Sequence, residues 1–551
     1  MLDDRNARSP LRDRRFAILW ACLAAAYLAQ WMLPVTAQWF LVSWSGGRSL
    51  VPLVQVSLTL PMALLAVPAG VVADRVDRRR LVIAVQVVVL FVEAGLVSLA
   101  LTGRLTPWSL LALLAVLACG MIATFTSLTS MVPSLVGARA IPAASALLTI
   151  ATNATRVMGP AVAGLILAVS SVGVAFAAAI PATSLLLVAL ARMPAPTSFG
   201  HAHERWLQAA WGGIRFVRHS PQALKLVLRT FCFTVGIMGL LSLLPLLATR
   251  LGATSGQLGA ILAMQGLGAV LGAVTLPRLH RVALPNRIVA IGFTTATAAS
   301  MLAVEATSLS VLAASVILAG WSWTTVLVTV QAGMQMYLPD WVRARGLSIL
   351  LVATFAGQAV GAFALGWGAS ALTLTWTLTA AAVLLFAGAL LAILAPLKDL
   401  HDLDRSAVRG WINPEIVVAA ADDTREVQVR VRYEVSRENQ PDFLETMVSL
   451  RRIRLRTGAH RWQLLEDSEA PGVFYEEFMV PSWTQREQQI EVRAVASDRS
   501  VELRAHDLAS SEPSIRYFFR MDVAPFDQGR VPLREGPGHD DVDRARRRTN
   551  T

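Results

Sequence analysis

Two ionisable side chains stand where a lipid-embedded chain tolerates them least. Glu93 lies about 12 residues into one long apolar stretch and Arg156 about as far into another, which at a rise of 1.5 Å per residue puts both near the middle of a membrane-length helix. A charge there costs about 3 kcal/mol on insertion scales, so each needs a reason: ion coupling, ligand binding, or a structural pair. A third group is the string Gly70-Val71-Val72-Ala73-Asp74-Arg75-Val76-Asp77-Arg78-Arg79-Arg80. Gly70 lets two helices approach, and Asp74 can pair with cations or a helix N-terminus in one of two states, so that broken and remade contacts latch a conformation. The plainer alternative for Arg78, Arg79 and Arg80 is that they only anchor topology. Amides at Gln30, Asn153, Gln265, Gln331, Gln335 and Gln358, with Trp31, Trp321 and Trp323, are candidates for a cavity lining suited to an amphipathic or aromatic ligand. Tryptophans near span ends serve equally as interface anchors.

The elements that position these residues follow from composition. The chain has 551 residues, 55% hydrophobic and only 16% charged, with a mean hydropathy of +0.54, too apolar for a soluble protein. Apolar stretches of roughly 20 residues predict twelve transmembrane helices, near 16–43, 50–73, 81–102, 108–131, 143–168, 171–192, 224–249, 256–277, 286–305, 308–336, 346–368 and 372–395. Lys and Arg in the short loops alternate. One side receives the arginines before residue 16, those at 75–80, Arg139, the middle loop, Arg278, Arg281, Arg287, Arg343 and Arg345, and the other only Arg48, Arg104 and Arg250. Both termini are therefore expected in the cytoplasm. The N-terminus, without a cleavage-site pattern, reads as a retained first helix. The formal charge of +12 is explained by topology rather than by nucleic-acid binding.

A parallel repeat divides the spans six and six. Val132-Pro133 followed by Gly137-Ala138-Arg139 is echoed 206 residues later by Leu338-Pro339 followed by Arg343-Ala344-Arg345. The expected organisation is a cytoplasmic segment 1–15, a six-helix half 16–192, a middle loop 193–222, a second half 223–397, a linker 398–424, a soluble domain 425–523 and a disordered tail 524–551. Within the middle loop, Leu207, Ala210, Trp211, Ile214 and Val217 recur at helical spacing, which predicts an interfacial helix on the inner leaflet.

The 70–80 string resembles the loop signature of the major facilitator superfamily, a Gly, an Asp-Arg pair and a following Arg pair. By that resemblance Gly70, Asp74, Arg75, Arg78 and Arg79 form a conformational latch. The run from Asn153 through Arg156, Gly159 and Pro160 to Gly164 looks like the Gly-Pro-x-x-Gly element of facilitator exporters, with Leu165 standing where a final Gly is common. Tight packing alone is the alternative for it. Ala29-Gln30-Trp31-Met32, Trp39-Phe40-Leu41-Val42, Leu60-Pro61 and Leu276-Pro277-Arg278-Leu279 are similar to the enterobactin-exporter-like branch, the transmembrane secretion effector type. The resemblance covers residues 12 to 400. It implies the facilitator fold and a proton-coupled exporter in the bacterial inner membrane, with lipid around it and a small organic cargo such as a siderophore, drug or secondary metabolite. That branch often carries an acid where Gln30 stands; if proton coupling normally uses that carboxylate, this chain must use another residue or couple differently. Gln30, Trp31, Glu93, Arg156, Gln331 and Gln335 are the coupling or cargo candidates.

From 425 onward the pattern changes. Val427, Val429, Val431, Tyr433 and Val435 alternate with polar residues, predicting a strand buried on one face. A helix near 440–456, strands near 461–467 and 473–480, a helix near 483–508 and a strand at 515–522 complete βαββαβ, an α+β ferredoxin-like order. This resembles the antibiotic-biosynthesis monooxygenase group, which implies a dimer through its sheet and leaves a membrane-tethered enzyme or regulatory protein as the alternative function. No catalytic pair is apparent: His460 and His506 are single histidines. Cys22, Cys119 and Cys232 lie far apart with no CxxC pair, so no metal or other cofactor is expected, and the absence of a GxxxxGK[ST] loop disfavours an ATP-driven pump.

Overall fold

The computed structural model describes residues 11, 13–75, 77–135, 140–192, 206–396, 425–491, 493 and 495–520. A first set of helices comprises α1 (Arg14–Ser43), α2 (Val51–Arg75), α3 (Arg78–Leu101), α4 (Pro107–Leu135), α5 (Ile141–Val169), α6 (Val172–Ala177) and α7 (Ala179–Arg192). After α8 (Trp206–Arg218) a second set follows: α9 (Pro221–Arg250), α10 (Ser255–Val282), α11 (Pro285–Val304), α12 (Leu309–Tyr337), α13 (Asp340–Ala371) and α14 (Leu374–Leu394). Their starts are written in the sequence. Asp77 accepts from the amides of Arg79 and Arg80, Ser308 and Thr373 cap α12 and α14, and Thr254 with Gln257 closes a capping box on α10.

Eleven segments among the described residues are long and apolar enough to cross a membrane, one fewer than expected. In the remaining rod, α5, the apolar stretch among the described residues is the shorter Ala154–Val169. The span expected at 171–192 is present as Val172–Arg192, interrupted only at Ala178 between α6 and α7, where Pro181 has no amide to return to the Ala177 carbonyl.

Each set packs within itself, and the sets meet chiefly through two pairs, α5 with α10 and α2 with α13. With α6 and α7 taken as one rod, a shift of six rods converts one pair into the other, as a two-fold relation between the sets requires. Glycines permit both contacts. An added Cβ at Gly164 would lie 2.6 Å from the Gly259 Cα, and one at Gly366 would lie 2.5 Å from the Pro52 Cβ. Both contacts fall toward the face opposite to that from which α1 starts.

The C-terminal region holds β1 (Val427–Glu434), α15 (Gln440–Thr457), β2 (His460–Glu466), β3 (Val473–Val480), α16 (Trp483–Glu491), α17 (Ala496–Asp507) and β4 (Ser514–Phe519). The sheet is antiparallel throughout, in the order β2-β3-β1-β4. The helix expected at 483–508 is two: the Arg493 amide bonds back to Gln488, and Val495 takes extended backbone with its side chain buried before α17 starts. Valines 427, 429 and 431 with Tyr433 face α15, whose Phe443, Met447 and Leu450 complete the core.

Candidate functional site

Arg156 sits halfway along α5 with its guanidinium carbon 4.8 Å from the ring centroid of Trp31 on α1 and 5.9 Å from that of Trp323 on α12. Trp31 and Trp323 belong to different helix sets, so this cation joins the two sets at mid-depth. Stacking on two ring faces supplies favourable electrostatics without a counter-charge, and among the described residues no carboxylate pairs with Arg156. Gly159 makes the arrangement possible, because a Cβ there would lie 2.4 Å from that of Trp31. Trp323 is backed by Phe233, 6.4 Å away, which in turn meets Phe293 edge-on at 5.2 Å.

Glu93 lies elsewhere, between α1, α3, α4 and α7. It is 4% exposed; Oε1 accepts from Thr183 Oγ1 at 2.9 Å, and Oε2 is buried with no hydrogen-bond partner. It borders a cavity of about 20 Å³ whose polar rim is Gln30, Gln86, Thr124 and Thr183. Gln86 donates to Thr124 at 3.0 Å. Spacing alone gave no sign of Gln86, Thr124 or Thr183; their signal is a polar group facing a helix partner inside an apolar run, which needs the packing to be seen.

Of the expected latch, Gly70, Asp74 and Arg75 fall on the last turns of α2 and Arg78 on the first of α3, and their side chains lie outside the described residues. Arg79 is described. Its Nε and Nη2 donate to the carbonyls of Leu190 and Ala191 at 2.8 and 2.6 Å, the free C-terminal end of α7. Arg229 does the same in the second set, donating to Ala392 and Ala395 at the end of α14 and to Asn286 at the start of α11. Each set thus has a guanidinium on the unsatisfied carbonyls of its last rod, where the helix dipole also favours a cation.

The remaining candidates are dispersed. Pro160 and Gly164 lie on the α5–α10 contact, where a Cβ at Gly259 would stand 2.8 Å from the Pro160 carbonyl. The Asn153 side chain lies outside the described residues. Gln331 and Gln335, four residues apart on α12, are exposed on one face. Arg156 and Trp31 come together, and so do Gln30 and Glu93.

A third constellation ties the sheet region to the helices. Arg456 of α15 stacks over Phe216 of α8 at 5.8 Å, and Arg493 over Trp341 of α13 at 5.3 Å. Phe216 meets Trp341 edge-on at 5.8 Å and Tyr337 at 6.4 Å. Within the sheet region Glu476, fully buried, accepts from Arg454 Nε at 3.1 Å, Trp462 Nε1 at 2.9 Å and Tyr433 at 3.2 Å, while Glu502 also pairs with Arg454. Burial pulls the Arg454 guanidinium down, but the Glu476 and Glu502 carboxylates more than reverse this. Burial lifts the Tyr433 phenol well above its ordinary value.

Membrane-crossing helices in two sets related by six rods, with a cation held between them, define a multi-pass membrane transporter of the major facilitator type. The pattern of the transmembrane secretion effector family matches residues 5–524, and the chain belongs to that family. Enterobactin exporters EntS of Escherichia coli O139:H28 and Escherichia fergusonii are 29% identical over 220 residues, 39% of this chain and 52% of theirs. The chain spans about half the length of the curated relatives it matches. Among solved structures, a bacterial homologue of the human lysosomal transporter Spinster, inward-facing and unoccupied, aligns over 71% of this chain and 98% of its own at 15% identity, with a TM-score of 0.56. The nucleoside transporter NupG aligns over 69% and 98% at 12% identity, with a TM-score of 0.59. These likenesses show the fold.

Proposed function

We propose that the protein is a secondary exporter of a small, aromatic, anionic organic molecule, driven by protons through alternating access in a bacterial inner membrane. The observation that carries the reading is Arg156 between Trp31 and Trp323. A guanidinium stacked on two ring faces, with no carboxylate partner among the described residues, can bind a carboxylate or phenolate, and the indoles accept an aromatic body. Because the two indoles belong to different sets, a cargo bound there feels any rocking between them. The enterobactin cargo in the relatives' name fits that description.

In this reading α5 is the twelfth span, residues 16–192 and 223–397 are the two halves, and the arginine-rich loops lie in the cytoplasm. The tight contacts Gly164–Gly259 and Gly366–Pro52 then close the outer face and leave the cytoplasmic side to open. The latch of Gly70, Asp74, Arg75, Arg78 and Arg79 works at that cytoplasmic side. The strand order β2-β3-β1-β4 supports reading the sheet region, 425–523, as ferredoxin-like. Its seat on α8 and α13 favours regulation of the transporter over free-standing catalysis.

The test is pH-driven uptake into everted vesicles, with enterobactin and fluorescent aromatic carboxylates as probes. Accumulation that needs the gradient and falls in Arg156→Ala supports the reading. Equal movement of a neutral aromatic alcohol and its acid, or movement indifferent to Arg156, sinks it.

A further inference from the structure

One helix separates two polar sites. Gln30 of α1 lines the cavity around Glu93, and the next residue, Trp31, lies under the Arg156 guanidinium. Successive residues of a helix point about 100° apart, so a single turn of α1 serves both sites. The cavity of about 20 Å³ exceeds the roughly 10–15 Å³ that one water needs. Its polar lining residues, Gln30, Gln86, Thr124 and Thr183, are uncharged apart from Glu93, and the buried Glu93 Oε2 has no hydrogen-bond partner among the described residues.

Among the described residues Glu93 is not half of an ion pair. The other ionisable groups on the surrounding helices are Cys22 and Tyr27 of α1, Cys119 of α4, and the arginines at the ends of α1, α3 and α7; among the described residues none of these lines the cavity. A carboxylate charge left alone there would carry a large desolvation cost.

We propose that this cavity is the proton site of the transport cycle, that one enclosed water joins the Glu93 carboxyl to Gln30, and that α1 passes the state of that site to Trp31 and Arg156. Its place in the cycle rests on the transport reading above. With the proton on Glu93, the carboxyl donates to the water and the water donates to the Gln30 carbonyl. When the proton leaves through the opened side, the water must donate to the carboxylate instead, and Gln30 must turn its amide N–H toward the water. The reversal is read out on the far side of α1, because at Gly159 the α1 and α5 backbones touch and any turn of α1 displaces Trp31.

The test needs no cargo. Full-length protein in proteoliposomes is titrated with pH while infrared difference spectra and tryptophan fluorescence are recorded. Wild type is expected to show a protonated-carboxyl band that bleaches with rising pH and is missing from Glu93→Gln. Thr183→Val removes the direct donor to Oε1, and Gln30→Leu removes the partner across the water; each keeps the carboxyl and is expected to change its proton affinity about tenfold. These two variants decide the matter if Glu93→Gln does not fold. A fluorescence change with the same midpoint is expected in wild type and lost in Trp31→Phe. A band that survives Glu93→Gln, one midpoint shared by wild type, Thr183→Val and Gln30→Leu, or a fluorescence change indifferent to Trp31→Phe overturns the proposal. Titration as expected in a protein that moves no probe supports the site and overturns the transport reading instead.

Discussion

Gly164 and Gly259 meet backbone to backbone: a Cβ on the first would lie 2.6 Å from the Cα of the second, and one on the second 2.5 Å from the Cα of the first. Since α5 and α10 belong to different sets, this contact sets how closely the sets approach. Gly164→Val and Gly259→Val are expected to destabilise the protein by about 1–3 kcal/mol in thermal unfolding in detergent, through overpacking. A cysteine placed near the end of α5 is expected to label faster in both. Gly95→Ala is the control, because nothing lies within 4 Å of a Cβ there.

The stack on Arg156 predicts a graded series. Trp323→Ala removes one ring face, worth about 0.5–2 kcal/mol, and is expected to weaken probe binding by about 2- to 30-fold in a quenching titration. Arg156→Lys keeps the charge without the planar fork and is expected to fall between wild type and Arg156→Ala. Lysine and alanine variants of equal affinity would show that planarity and charge are irrelevant at this position.

The sheet region carries its own pH dependence. Burial is the largest influence holding His506 below its ordinary value of 6.5. The unfolded chain therefore takes up the proton first as pH falls. His506 contributes stability that is full above 6.5 and is lost as pH drops through its folded-state value. Denaturant midpoints of the sheet region in the full-length protein, read between about pH 8 and 5, are expected to fall in wild type and to fall less in His506→Gln.

Breaking the buried cluster has a larger cost. Glu476→Gln leaves Arg454 without its fully buried carboxylate, and the sheet region is expected to lose about 3 kcal/mol. Phe216→Ala with Trp341→Ala leaves that cluster intact and removes only the rings under Arg456 and Arg493. Faster hydrogen exchange in α15, with unchanged sheet stability, is the expected result. Unchanged exchange would mean the stack does not hold the region in place.

How far the sequence reveals this molecule depends on range. Apolar length marks the helices, and the alternation from Val427 to Val435 marks β1, because both patterns are local. The interruption at Ala178 is marked by Pro181, which has no amide to return to the Ala177 carbonyl, whereas the two helices at 483–507 are not legible, since no proline or glycine announces them and the Arg493 amide reaching back to Gln488 decides the break. Glu93 and Arg156 stand out by charge alone. Their surroundings do not: Trp323 lies 167 positions from Arg156, and Thr183 lies 90 from Glu93. Arg79 looks like a topology anchor until its guanidinium is seen on the end of α7.

The seat on α8 also orders events in time. Phe216 leaves the ribosome about 240 residues before Arg456, so at ordinary synthesis rates of about 5–20 residues per second the aromatic seat waits roughly 10–50 s for its arginine. Through that interval the membrane helices are already inserting with α8 uncovered. Docking of the sheet region therefore comes after the membrane helices are made, and until that step a newly made chain carries α8 with its aromatic face uncovered.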